Sequence, residues 1–594
     1  MISNDDSASE EKLWQAFRHR IGMDQRTAQD QDANRPGLSI NGAAVQTISD
    51  SDHLMSSNPA LRPRPMSFEQ PRSKRSCNKL YGKPARNIKS YTEPFLSFLT
   101  ENPTVFHTVD HFSERLKSKG FIEISERDSW HTTLHPGGKY FVTRNGSSMI
   151  AFEIGKNYRS GNGAAIVASH IDALTARLKP ISKVPDKAGY VQLGVAPYAG
   201  GLNTTWFDRD LGIAGRVLVR NKDSGKIDTK LVKLNWPIAR IPTLAPHFGA
   251  AADIPHPNKE TQMVPIIGLE SQDGNTVSAQ PRPSVLGGTG SFTATQPQRL
   301  VKAIAAEIGI QDHASIINWE LELFDTQPAQ LGGLDKEFIF AGRIDDRLCA
   351  FAAIEALIES AGSSSDTVAP SCPAFREPFL ESFSAASQYG NGDSSSDNSS
   401  SSILKVTALY DDEEIGSLLR QGAHSNLLPN TISRICESFA DTKSTPSPSA
   451  ADLLGQTYAN SFLISADVTH AVNPNFLSSY LENHSPRLNV GIAVEADPNG
   501  HTTTDALSAA LLQRVAEKCG SVLQVFQIRN DSRSGGTVGP MLSSKMGVRS
   551  VDAGLPQLSM HSVRATTGSR DPGLGVQLFR GFFEEFEDVD KEFR

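Results

Sequence analysis

From Tyr91 to Phe121 apolar side chains recur every three or four residues in two runs, YTEPFLSFLTE and TVFHTVDHFSERLKSKGF, and the pattern predicts two short amphipathic helices. Asn102-Pro103 separates them, because proline lacks an amide donor and crowds the residue before it. The period then drops to two. KYFVTR and SSMIAFEIG flank Asn145-Gly146, a pair suited to the left-handed backbone of a tight hairpin. In GNGAAIVASHIDALTARLKP a short apolar strand, residues 164–168, ends in polar residues at its tip. Beyond it come short alternating runs, YVQLGVAP, AGRVLVR and TKLVKLNW, broken by frequent turn residues. After Phe338 strands and helices alternate again in EFIFAGRIDD, DRLCAFAAIEALIESAG, ILKVTALYDDEEIG and SFLISADVTH. The predicted fold is α/β. Residues 90–175 and 331–594 form one domain with a central mixed, largely parallel sheet flanked by helices, and an inserted β-rich domain, residues 176–330, interrupts it.

Three segments break this texture. Residues 1–89 are polar and proline-punctuated, too poor in apolar surface to offset the entropy of ordering. Inside that arm Leu13, Trp14, Phe17 and Ile21 fall at near-helical spacing, which predicts a short amphipathic helix near residues 9–22, either docked on its own body or serving as a handle for a partner. Residues 363–402 are serine-rich and predict a disordered surface insertion, and KSTPSPSAAD a second, smaller one.

Composition narrows the function classes. With 58 Lys+Arg against 66 Asp+Glu the net charge is −8, which supplies no footprint for nucleic acid. Five cysteines are scattered and none forms a C-x-x-C pair, so neither a disulfide framework nor a thiolate zinc site is expected. No apolar run approaches the ~20 residues of a membrane span, and MISNDDSASEEK lacks the features of a secretory signal, so synthesis in the cytosol is expected.

Five segments carry metal-competent side chains just after apolar runs: SHIDA (His170, Asp172), RIDD (Asp345, Asp346), YDDEEIG (Asp411 to Glu414), SADVTH (Asp467, His470) and LSMHSVRA (His561). A parallel sheet exposes its carboxyl edge to ligands, and costly polar residues recurring there point to one shared site. Two imidazoles with several carboxylates and no thiolate suit a pair of divalent ions such as zinc. Asp172, two residues from His170, is placed to hold the imidazole's second nitrogen. Of the adjacent Glu413 and Glu414, one can bind metal while the other moves a proton.

The ordered segments SHIDALTARLKP, LNTTWFDRDLGIAGRV, RIPTLAPHFG, ELFDTQPAQLGG, FIFAGRIDDRLCAF, LYDDEEIGS, ISADVTHAVNPNF, RNDSRSGGTVGP and QLSMHSVRATTGSRDPGLG closely resemble the aspartyl aminopeptidase family of dinuclear zinc metallopeptidases, and within it the vacuolar aminopeptidase I branch. The resemblance implies that His170, Asp345, Glu414, Asp467 and His561 are metal ligands, with Asp345 bridging, and that Glu413 is the general base. It implies substrate contacts for His470 and for His247, the latter at a neighbouring subunit's site. It further implies two Zn2+ ions, peptide substrates, a tetrahedral dodecamer in which the inserted domain makes dimer contacts, and delivery from the cytoplasm to the vacuole by a selective-autophagy receptor that reads the amino-terminal helix. A cytoplasmic location is the alternative.

One departure bears on specificity. Where the aspartyl branch carries a substrate-contacting lysine, this chain reads VGIAVEADPNGH and places Glu495. A carboxylate there would repel an acidic side chain, so neutral, leucine-like amino-terminal residues are the expected substrates. The rival expectations are an aspartyl- or glutamyl-specific peptidase and a non-catalytic autophagy cargo that keeps an aminopeptidase shell.

Overall fold

A computed structural model describes residues 87–252, 255–270, 285–362, 401–440 and 449–594. The predicted amino-terminal helix and nearly all of the serine-rich insertion lie outside these residues. The two helices after Tyr91 are Thr92–Glu101 and Val105–Lys117, and the hairpin strands are Lys139–Arg144 and Ser148–Ile154. Asn145 and Gly146 turn between those strands with φ of 59° and 65°, both left-handed, in a three-residue connection that pairs Arg144 with Ser148.

The hairpin joins a nine-stranded sheet. Its order is Ile122–Glu123, Lys139–Arg144, Ser148–Ile154, Leu404–Tyr410, Ala164–His170, Phe462–Ser465, Arg549–Gly554, Ala493–Glu495 and Gln524–Phe526. The four strands from Leu404–Tyr410 to Arg549–Gly554 run parallel, so their carboxyl ends share one edge. Buried on both faces, they read as continuous apolar runs. In Ala164–His170, Ala165 and Val167 pack on one face against Phe98, Phe351 and Phe579, while Ile166 and Ala168 pack on the other with Leu428 and Leu542. Helices Ile344–Gly362 and Asp571–Lys591 cover the first face; Leu427–Ser438 and Val538–Met546 cover the second.

A second, six-stranded sheet is antiparallel throughout, in the order Ile227–Lys233, Leu211–Arg220, Ile316–Asp325, Thr175–Lys183, Tyr190–Tyr198 and Ile266–Leu269. It has its own core, in which Leu300, Val301 and Ile304 of helix Gln298–Glu307 meet Trp206, Val217 and Leu321.

Two expectations need correcting. The strand foreseen over residues 164–168 continues to His170, because Ser169 and His170 remain in register with Leu409 and Tyr410. The metal-competent segments do not all follow strands of the parallel sheet. Asp345 lies in the first turn of helix Ile344–Gly362, after strand Phe338–Ala341 of a small antiparallel sheet, and His561 lies in the loop after the short strand Pro556–Gln557. The small sheet explains their meeting: Ala341 pairs with Ala565, which carries the RIDD segment alongside the segment holding His561.

Candidate metal centre

Three neighbouring parallel strands deliver the first group of side chains. Tyr410 sits opposite His170 in the ladder, so the DDEE segment emerges beside the imidazole, and Ser465 sits opposite Ala168, which brings Asp467 to the other side. His170 Nε2 lies 3.2 Å from Asp345 Oδ1, 3.6 Å from Asp467 Oδ1 and 3.9 Å from Glu413 Oε2. The small sheet supplies the rest: His561 Nε2 lies 3.5 Å from Glu414 Oε2 and 3.7 Å from Asp345 Oδ2. Each oxygen of Asp345 therefore faces a different histidine. Two groups result, His170–Glu413–Asp467 and Asp345–Glu414–His561, each with its donor atoms within 4.8 Å of one another.

Local backbone geometry sets these directions. Asp412 has a φ of 67° and Gly416 one of 98°, so Glu413 and Glu414 occupy an isolated 3-10 turn instead of the acidic helix start that DDEE alone would suggest. Arg343 and His561 also adopt positive φ, 59° and 63°. Such conformations are uncommon for residues with a Cβ and collect where surrounding structure overrides local preference.

The donor set fits divalent cations of the zinc type. Imidazole and carboxylate are the ligands that borderline-hard ions take, and the site holds both in two groups. Glu414 Oε1 is buried without a hydrogen-bond partner, as a ligand atom would be. Burial pushes the Glu413 carboxyl up to about 8 and raises those of Glu414 and Asp467. Burial opposes charge on His170 too, yet Asp467, Asp172 and Asp345 together hold it well above its ordinary value. Acids crowded in this way gain from a compensating cation.

Asp172, 1% exposed, does more than face His170. Its Oδ1 is 3.3 Å from His170 Nδ1 and accepts from the Glu413 amide at 3.1 Å; its Oδ2 accepts from the Glu414 amide at 3.2 Å and from the Tyr198 hydroxyl at 2.7 Å. Asp346 points away from the cluster and accepts from Ser169 Oγ at 2.6 Å. His470 is at the surface with its ring 5.6 Å from that of Phe526. His247 is exposed on the turn Pro246–Ala251, and it is not part of the cleft beside Asp345, Glu414 and His561, whose walls include Leu174, Trp206 and Phe324. The structure thus gathers His170, Asp345, Glu413, Glu414, Asp467, His561 and Asp172, and leaves His247 apart. Sequence reasoning missed Tyr198, which ends an alternating strand and carries no motif.

Comparison with known proteins identifies the family. The family model for "Aminopeptidase I zinc metalloprotease (M18)" matches residues 98–375 and 380–583. Vacuolar aminopeptidase 1 of Saccharomyces cerevisiae is 41% identical over 85% of this chain and 90% of its own length. Aspartyl aminopeptidase of Aspergillus oryzae is 39% identical over 85% and 98%. Among solved structures, Chaetomium thermophilum mApe1 aligns at 51% identity and a TM-score of 0.72 over 85% of this chain and all of that one. The Saccharomyces cerevisiae mApe1 dodecamer aligns at 37% and 0.70 over 86% and 99%. The Ape4 and Nbr1 complex aligns at 36% and 0.72 over 86% and 89%. The chain belongs to the M18 family of zinc metalloproteases and is an aminopeptidase.

Proposed function

We propose that this aminopeptidase removes neutral, leucine-like residues from peptide amino termini at a centre for two zinc ions. The observation that carries the reading is Asp345, whose two oxygens face His170 and His561 separately, as a bridging carboxylate would. His170 and Asp467 would hold one ion and Glu414 and His561 the other. When bound, the pair supplies Lewis acidity that lowers the pKa of a water and stabilises negative charge developing on the scissile carbonyl. The surrounding carboxylates attract a free α-ammonium, which favours cleavage at a chain end. Glu413 takes a proton from the attacking water and passes it to the leaving amine.

Glu495 supports the neutral preference. It ends the strand Ala493–Glu495, and burial, followed by the field of Asp467, raises its carboxyl well above the ordinary range. Ionised or protonated, it offers no cation to an acidic side chain. Leucyl and aspartyl peptides compared with and without chelator test the reading: chelator-sensitive hydrolysis favouring the leucyl substrate is expected, and a preference for the aspartyl one would overturn it.

The solved dodecamer of a relative supports a homo-dodecamer here. In such an assembly the inserted domain, residues 176–330, would make the dimer contact and His247 would reach the neighbouring subunit's site. The vacuolar name of one relative and the Nbr1 complex of another support vacuolar delivery through a selective-autophagy receptor. The segment near residues 9–22 would be the one read.

A further inference from the structure

A hydroxyl of the six-stranded sheet reaches the residues that support the metal centre. Tyr198, 5% exposed at the end of strand Tyr190–Tyr198, donates to Asp172 Oδ2 at 2.7 Å and lies 3.5 Å from Asp412 Oδ1. Its ring is itself held in place. The Arg177 guanidinium lies 3.8 Å from the ring centroid, and Arg177 Nε is 3.8 Å from Glu322 Oε2. Arg177 and Glu322 are directly opposed in the antiparallel ladder, and Tyr198 pairs with Thr175 two positions along. Three adjacent strands of the second sheet thus aim one aromatic side chain, clamped by a charge pair, at a single carboxylate of the first domain. That carboxylate accepts from the backbone amides of both Glu413 and Glu414.

We propose that Tyr198, held by Arg177 and Glu322, is a positioning residue for the reaction. By fixing Asp172 it sets the turn that aims Glu413 at the water. The inference rests on the proposed role of Glu413 and adds a path from the six-stranded sheet to the chemistry. Without the Tyr198 hydroxyl, Asp172 keeps its two amide donors and its contact with His170 but loses one of the two donors to Oδ2, so the turn is held less tightly. The turn can then sample orientations in which Glu413 is out of line. Partners that orient catalytic groups in this indirect way typically contribute 10–100-fold to activity or metal affinity.

The test uses zinc-loaded full-length protein and leucyl-peptide kinetics. Tyr198→Phe removes one hydroxyl and leaves the ring under Arg177. The expected result is a fall in kcat of about ten-fold with KM within about two-fold, unchanged zinc content and an unchanged unfolding midpoint. In a Glu413→Gln background the same substitution should add less than about two-fold, because it acts through Glu413. Arg177→Met should lower kcat less than Tyr198→Phe and add nothing to it. Normal kcat in Tyr198→Phe, or a full ten-fold further loss on top of Glu413→Gln, would overturn the proposal. Near-normal activity of Glu413→Gln alone would instead overturn the assignment of the base, so the two failures are distinguishable.

Discussion

Glu413 and Glu414 are adjacent in the chain, yet they face different histidines. The 3-10 turn that separates them depends on Asp412 at positive φ and on the two amides held by Asp172. The sequence displayed both carboxylates but not that contact, which joins residues 241 and 242 positions apart. Spacing alone offered Asp345 and Asp346 as equals and family likeness chose between them; the Ser169 hydroxyl shows what Asp346 binds instead. Glu413→Gln keeps shape and removes the proton acceptor. Its kcat should fall by about 10²–10⁴-fold, the span of general-base catalysis, with zinc content unchanged by elemental analysis. Loss of zinc in this variant would make Glu413 a ligand, as its place beside His170 and Asp467 also allows. At the proposed specificity position, Glu495→Lys should raise the aspartyl-to-leucyl ratio of kcat/KM by at least about ten-fold, ~1.4 kcal/mol of differential stabilisation. An unchanged ratio would place Glu495 outside the substrate's reach.

At the level of elements, strand register converts scattered residues into a site. Three consecutive parallel strands end at one edge, which is why His170, the DDEE segment and Asp467 were legible from apolar runs followed by polar tips. Asp345 and His561 were picked out as polar tips too, but no strand of the parallel sheet stands behind them: Phe338–Ala341 lies in the small antiparallel sheet, and Pro556–Gln557 is too short to show a period. Close strand approach matters as much as register. A Cβ built on Gly554 would lie 1.4 Å from the backbone oxygen of Asp467, so the loop that carries Asp467 rests directly on this glycine. Gly554→Ala must push the two segments apart. The expected cost is at least about 2 kcal/mol, seen as a lowered unfolding midpoint, together with weakened zinc retention. A variant with the parent's midpoint and zinc content would show that the loop has slack the structure does not display.

At the scale of the whole molecule, His247 lies outside the cleft that the described residues build beside Asp345, Glu414 and His561. It sits on an exposed turn beside Phe248, which is 65% exposed, and Leu244, which is 44% exposed, apart from the cleft that contains Asp345, Glu414 and His561. An exposed apolar pair next to a titratable ring has a use if another subunit covers it. If His247 serves a neighbour's site, each active site is built from two chains and the defects of different chains can complement. His247→Ala should then be nearly inactive as a pure oligomer, as should Glu413→Gln. Refolded together, they should regain activity, because a His247→Ala subunit retains its own Glu413 and borrows the histidine of a Glu413→Gln neighbour. Random equimolar assembly pairs the intact halves in about a quarter of sites, so recovery should approach about a quarter of parental turnover while either variant alone stays near zero. Simple mixing without subunit exchange should recover nothing, which separates complementation from additive residual activity. If co-assembled oligomers, verified by mass, remain as inactive as their parents, His247 acts within its own subunit or only in folding, and the site belongs to one chain.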